Sequence, residues 1–214
     1  MARTTVHLLR HGEVFNPERV LYGRRPGFGL SERGRTMAER IAATFGAREA
    51  DLVYLAASPL QRAQETAAPL AEAFDLEVHT DGRLIEAVNY FEGTSVGKDP
   101  KILLDPRYWP KLVNPGRPSW GEPYLEQAER MFAAIREAKQ QAAGHEAVLV
   151  SHQLPIWVVR RTLEGRSMIH DPRRRRCTLA SVTSLTFEDG TLVALDYAEP
   201  CRDLLPDPST AVLP

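Results

Sequence analysis

Five side chains suited to handling a phosphate group stand at or just beyond the ends of short apolar runs: Arg10, His11, Arg62, Glu86 and His152. Two guanidiniums can grip phosphate oxygens in fork geometry and hold the charge that spreads over them in a transition state. A neutral imidazole can attack phosphorus directly, splitting one displacement into two easier ones. A second histidine, when protonated, adds charge and a donor. A carboxylic acid can protonate a departing alkoxide and later take the proton of an attacking water. Such a set requires no metal and no other cofactor, because the arginines and the histidine supply the positive charge.

The elements that must position these groups are legible as β-prone runs, each ended by a breaker. Residues 4–9 form a buried strand through Val6, Leu8 and Leu9, stopped at Arg10-His11-Gly12, where the glycine lets the backbone turn sharply. Residues 51–57 form a second, stopped by Ser58-Pro59; serine as N-cap and proline at the first helical position predict a helix with Arg62 one turn in. Residues 76–79 form a third, leading through Asp81-Gly82-Arg83 to Glu86, and residues 147–150 a fourth, ending at Ser151-His152-Gln153. Polar groups at the carboxyl ends of parallel strands face the crevice where open α/β sheets bind ligands. Ser31 caps a helix whose Met37, Ile41 and Phe45 recur at four-residue steps before Gly46. A longer helix spans 123–143 and ends at Gly144, and a buried one spans 154–163, started by Pro155. Asp189-Gly190, between apolar runs at 181–187 and 191–197, predicts a hairpin adding antiparallel strands at a sheet edge.

The chain has 214 residues, 43% hydrophobic and 26% charged, which suits one domain over 1–214 with an insertion. Lys+Arg 27 against Asp+Glu 28 leaves a net charge of -1, so no global field favours nucleic acid or an anionic membrane as partner. Cys177 and Cys201 make no Cys-x-x-Cys pair and lie at no metal-ligand spacing from histidine; free thiols in a reducing cytosol are the expectation. With neither signal peptide nor membrane span visible, a soluble, cytoplasmic protein is expected.

Residues 93–122 hold five prolines, Tyr108, Trp109 and Trp120, and the basic Lys98, Lys101, Arg107, Lys111 and Arg117. A loop this long suggests an ordered cap over the pocket. With Arg24 and Arg25 nearby, it points to a small phosphorylated metabolite carrying charge beyond the transferred phosphate. Arg24 is a candidate substrate contact, with a solvated loop charge as the alternative. Arg173-Arg174-Arg175-Arg176 is expected to be a solvated face, an anionic-substrate rim being the alternative. From about 199 the chain carries four prolines and is expected to be an irregular tail, laid on the surface or frayed. A homodimer is left open.

The motifs Arg10-His11-Gly12-Glu13 with Asn16, Leu30-Ser31-x-x-Gly34, Ser58-Pro59-Leu60-Gln61-Arg62-Ala63-x-x-Thr66, Leu84-x-Glu86 before Phe91-Glu92-Gly93, Gly121-Glu122 and Val150-Ser151-His152 occur in one order along the chain. In this the sequence resembles the histidine phosphatase superfamily, the phosphoglycerate mutase-like branch 1. The resemblance implies a three-layer α/β sandwich, with a mostly parallel central sheet, helices on both faces and a cap insertion. It also implies that His11 becomes phosphorylated, that Arg10, Arg62 and His152 form the phosphate pocket, and that Glu86 is the proton donor, with Glu92 or Glu122 as other carboxylates to weigh. Asn16 would join the phosphate or substrate site, and the backbone N–H of Gln153 would face the phosphate. The sequence departs from the family pattern at Gln153, where glycine is common, at Phe91 for tryptophan, at Pro123 for serine, and in lacking a glycine between the acid and Phe91. The activity implied is hydrolysis of a phosphate monoester through a phosphohistidine. A mutase returning the phosphoryl group to product is the alternative, and a non-catalytic module binding phosphorylated ligands is a third.

Overall fold

The computed structural model describes residues 3–94, 104–111 and 121–206. Strands β1 (Arg3–Arg10), β2 (Leu52–Ala57), β3 (Val78–Thr80), β4 (Glu146–Ser151), β5 (Val182–Glu188) and β6 (Thr191–Ala198) form one sheet in the order β3-β2-β4-β1-β5-β6. The first four are parallel, and β5 and β6 add to one side antiparallel. The centre falls to β1 and β4 because their runs are apolar on both faces: Val6, Leu8, Leu9 and Ala147 to Val150 are all buried. β6, alternating exposed and half-buried residues, takes the edge. Its hairpin closes through Asp189 and Gly190, both at positive φ (48° and 84°), as a two-residue turn matching the strand twist requires.

Helices α1 (Glu32–Ala47) and α2 (Gln61–Phe74) cover one face, and α3 (Tyr124–Gln141) and α4 (Gln153–Leu163) the other. Met37, Ile41, Phe45, Ala67 and Leu70 pack with Leu9, Leu55, Val148 and Val150. Met131, Ile135, Ile156 and Val159 pack on the opposite side with Val6, Leu8, Leu149 and Leu185. Alternate residues of β1 and β4 thus serve opposite layers, as strand geometry dictates. The result is the expected α/β sandwich of three layers.

Several local expectations differ. Ser58 is not the cap of α2: the helix starts at Gln61 with Leu60 in the cap position, and the Ser58 hydroxyl lies 2.7 Å from His152 Nε2. Pro59 therefore falls outside the helix. α4 starts at Gln153, placing Pro155 inside its first turn, where the missing N–H costs nothing. α1 ends at Ala47, one residue past Gly46. Gly12 is required for approach rather than for an unusual turn: its φ is not positive, but a Cβ there would come within 2.6 Å of the Gly34 carbonyl oxygen. Gly34 is more constrained still, since its Cβ would meet the Glu13 oxygen at 2.0 Å.

Most of the 93–122 insertion, with Lys98, Lys101, Arg117 and Trp120, lies outside the described residues, and with it the expectation of a cap. Pro106–Lys111 forms a short 3₁₀ helix with Trp109 exposed. The segment after 199 is laid down rather than frayed as far as 206. Cys201 is buried with its thiol 3.5 Å from the Met37 carbonyl, Leu204 and Leu205 pack on the core, and Asp203 pairs with Arg40 at 2.5 Å. Both cysteines are free and buried. Among the described residues, no helix is long and apolar enough to cross a membrane.

Candidate active site

Register brings the separate strand ends together. Arg10 pairs with Ser151 across β1 and β4, and Ala57 pairs with Val150 across β2 and β4, so three chains leave the sheet level with one another. The next residues are His11, Ser58 and His152. The His11 N–H bonds the Ser151 carbonyl at 3.1 Å, and the Ser58 N–H bonds that of Val150 at 2.9 Å, fixing both exits. The acid loop is tied to the same edge, because the Ser151 hydroxyl donates to the Leu84 carbonyl at 2.7 Å.

His11 Nδ1 lies 2.7 Å from the Gly12 carbonyl, which can only accept, so Nδ1 carries the proton and Nε2 keeps its lone pair. Burial pushes the His11 pKa well below its ordinary value, and the charges of Arg62 and Arg10 push it further, so the ring is neutral. The His152 ring lies 5.1 Å away between centroids and is held by Ser58 at Nε2. Burial, then Arg62, His11 and Arg10, lowers its pKa in the same direction.

Arg10 donates through Nη1 to the Cys177 carbonyl at 2.6 Å, and Arg62 through Nη2 to the Gly23 carbonyl at 2.7 Å. Carbonyls position these guanidiniums without cancelling their charge. Arg62 also lies over the Tyr22 ring, 4.7 Å from its centroid. At the site, Arg10 Nε, His11 Nε2, Arg62 Nε and His152 Nδ1 are buried and make no hydrogen bond among the described residues; outside it, the Trp157 Nε1 nitrogen is in the same position. Buried polar atoms of this kind are costly in a fold, and four of the seven among the described residues fall on the side chains suited to hold a phosphate or attack its phosphorus.

Glu86 is buried, with Oε1 accepting the Ala87 N–H at 2.8 Å. Burial raises its pKa, against the opposing hydrogen bond from Ala87 and the charges of Arg62 and Arg10. A carboxyl so placed is easier to keep protonated, as a proton donor must be. The other two carboxylates are engaged differently. Glu122 pairs with Arg24 at 3.0 Å and Arg130 at 2.7 Å, and Glu92, half-buried, accepts the Asn89 N–H at 3.2 Å.

The remaining candidates spread out. The Asn16 amide closes a loop onto Val20, donating to its carbonyl at 2.8 Å and accepting its N–H at 3.2 Å, with a second N–H and a second lone pair remaining. Arg24 is no solvated loop charge: its Nε donates to the Glu86 carbonyl at 2.5 Å while Nη2 holds Glu122. It braces the acid loop. Gln153 opens α4, where first-turn N–H groups lack intrahelical acceptors, while its side chain receives Arg175 Nη1 at 3.2 Å and donates to the Cys177 carbonyl at 3.4 Å.

Two residues escape sequence reasoning. Tyr22 is buried against Arg62 and 6.5 Å from the His11 ring, yet it sits in an irregular loop with no periodicity to mark it. Arg175 is half-buried against Gln153 and His170, unlike the exposed Arg174 and Arg176 beside it. A run of four arginines carries no signal for which one turns inward.

Residues 6–200 match the family model described as histidine phosphatase superfamily (branch 1). The chain belongs to this superfamily. A relative in Mycobacterium tuberculosis, the uncharacterized protein Rv0525, is 53% identical over 197 residues, covering 92% of this chain and 96% of that protein. A Yersinia enterocolitica protein named "Probable phosphoglycerate mutase GpmB" is 30% identical over 198 residues, with 88% and 87% covered. The solved structure of mycobacterial glucosyl-3-phosphoglycerate phosphatase Rv2419c with inorganic phosphate superposes with a TM-score of 0.67 at 25% identity, over 90% of this chain and 95% of that one. This histidine phosphatase superfamily member therefore has both phosphatases and phosphoglycerate mutase-like proteins among its relatives and neighbours.

Proposed function

We propose that the protein is a metal-independent phosphomonoesterase that hydrolyses a small phosphorylated metabolite in the cytoplasm through phosphorylation of His11. The observation that carries this reading is the tautomer lock. With Nδ1–H held by the Gly12 carbonyl, Nε2 of a neutral, buried imidazole stands ready beside two guanidiniums whose charge no carbonyl cancels.

In the first step Nε2 attacks phosphorus and forms an N–P bond as the ester P–O bond breaks. Glu86 gives its proton to the departing alkoxide. Arg10, Arg62 and His152 hold the charge on the phosphoryl oxygens, where fixed donors in a buried site are worth most. In the second step water attacks phosphorus and the N–P bond breaks. Glu86, now a carboxylate, takes the proton of that water, and His11 returns to its starting state with inorganic phosphate released.

Hydrolysis of p-nitrophenyl phosphate in the presence of a chelator tests the reading. Phosphate release by the wild type and its loss in His11→Ala are expected; activity that survives the His11 change overturns it. The 30% identity to a protein named as a phosphoglycerate mutase favours mutase chemistry as a second reading. Rapid conversion of 3-phosphoglycerate to 2-phosphoglycerate without phosphate release would favour it over hydrolysis.

A further inference from the structure

Arg175 is separated from Arg10 by more than 160 residues of chain, yet a short sequence of hydrogen bonds joins them. The Cys177 carbonyl accepts from Arg10 Nη1 at 2.6 Å and from Gln153 Nε2 at 3.4 Å. The Gln153 Oε1 in turn accepts from Arg175 Nη1 at 3.2 Å. On its other side Arg175 Nε donates to His170 Nε2 at 2.9 Å, and that ring is fixed in the matching tautomer because its Nδ1 lies 2.6 Å from the Met168 carbonyl. An amide and a neutral imidazole therefore hold the guanidinium at two of its nitrogens. Neither cancels its charge, and among the described residues no carboxylate lies within ion-pairing distance of it.

Holding a half-buried arginine in this way costs desolvation that the fold does not recover through an internal salt bridge. Its field reaches the site: the Arg175 charge works to lower the Glu86 pKa, and the Glu86 carboxylate works to raise that of Arg175. Arg10 and Arg62 suit the transferred phosphate, and Glu86 is the acid. Arg175 is left over, on the Gln153 side of the site, with Nη2 outside the two bonds that anchor it.

We propose that Arg175 recognises a second anionic group of the substrate, a carboxylate or a further phosphate carried on the same molecule as the phosphate that His11 attacks. Gln153 and His170 are positioning residues that set the plane of its guanidinium. This deepens the phosphatase reading and rests on it for the identity of the site. It also gives the departure from glycine at position 153 a purpose, since a glycine there would have no amide to hold Arg175.

Phosphonates, whose C–P bond this chemistry does not cleave, separate recognition from turnover. Binding to the full-length protein would be measured by calorimetry for ω-phosphonocarboxylic acids of increasing chain length, for the alkylphosphonates of equal length, and for the matching bisphosphonates. At one or more lengths the second anion is expected to tighten wild-type binding about tenfold or more, the size of a charge-assisted contact. Arg175→Gln should erase that gain while still binding the plain alkylphosphonate, and Arg175→Lys should keep part of it. Which series responds tells carboxylate from phosphate. A second anion that adds nothing at any length, or a gain that survives in Arg175→Gln, overturns the proposal. Since nothing is hydrolysed, failure of the hydrolysis reading would leave this result intact, and an active enzyme indifferent to the second anion would refute this inference alone.

Discussion

The rings of His11 and His152 lie 5.1 Å apart, tilted by 57°, and both are held uncharged by burial and by the arginines around them. They come from the ends of two adjacent parallel strands whose register is set by core packing far from either ring. Their use of nitrogens is complementary: His11 spends Nδ1 on Gly12 and keeps Nε2, whereas His152 spends Nε2 on Ser58 and keeps Nδ1.

The pH profile follows from these shifts. His11 attacks as the neutral ring, and its pKa lies well below 6.5, so acidification from pH 7 through 6.5 should not cost activity. Glu86 donates as the acid and its pKa is raised above 4.5, so the alkaline limb should lie above the ordinary carboxylate range. Steady-state kcat/KM against pH reports the free enzyme and checks both limbs. An acid limb centred at or above 6.5 would contradict the assignment of His11.

Removing the acid should hurt poor leaving groups most. Glu86→Gln is expected to lower kcat/KM on an alkyl phosphate by roughly 10²- to 10⁴-fold, the usual worth of general acid catalysis. The loss in kcat/KM on p-nitrophenyl phosphate should be far smaller, since that anion departs without a proton and kcat/KM leaves out the later attack of water that Glu86 also assists. Parallel assays on the two esters check this, and equal losses on both would point to a structural role instead.

The strand ends were legible in the sequence because each buried run is uniformly apolar and stops at a breaker, and both signals are local. Their register was not, because β4 inserts between β1 and β2 although it follows them by more than 90 residues. Local reasoning also erred where one side chain had two uses. Ser58 has the composition of a cap, but its hydroxyl faces His152 from a neighbouring strand. The bonds of the Asn16 amide to Val20, which close a five-residue loop, are a separate matter: the family motif that implies a phosphate or substrate contact for Asn16 carries no sign of them. Arg175 was hidden in a run of like charges, and only the fold of residues 168–177 shows which guanidinium turns inward.

Away from the site, Glu146 links folding to pH. Burial opposes its ionisation, but hydrogen bonds from His7 and Arg48, together with their charges, outweigh it and hold its pKa down at about 2. A depressed carboxylate contributes stability that is present above its unfolded pKa and lost as pH falls through the folded one. The stability gap between wild type and Glu146→Gln should therefore be fully open at pH 7, begin to shrink below about 4.5 and close toward about 2. Urea midpoints for both proteins at descending pH measure it. A gap that widens on acidification would contradict the pairing.

The central claim is that His11 Nε2 becomes covalently phosphorylated, and trapping that species tests it most directly. Wild-type protein mixed with p-nitrophenyl phosphate, quenched in alkali and mapped by mass spectrometry should carry one phosphoryl group on the peptide containing His11. The adduct should be stable to base and labile to acid, form no more slowly than turnover, and be absent in His11→Ala. Turnover at full rate with His11 unmodified, or a phosphoryl group found on another residue, would contradict the account.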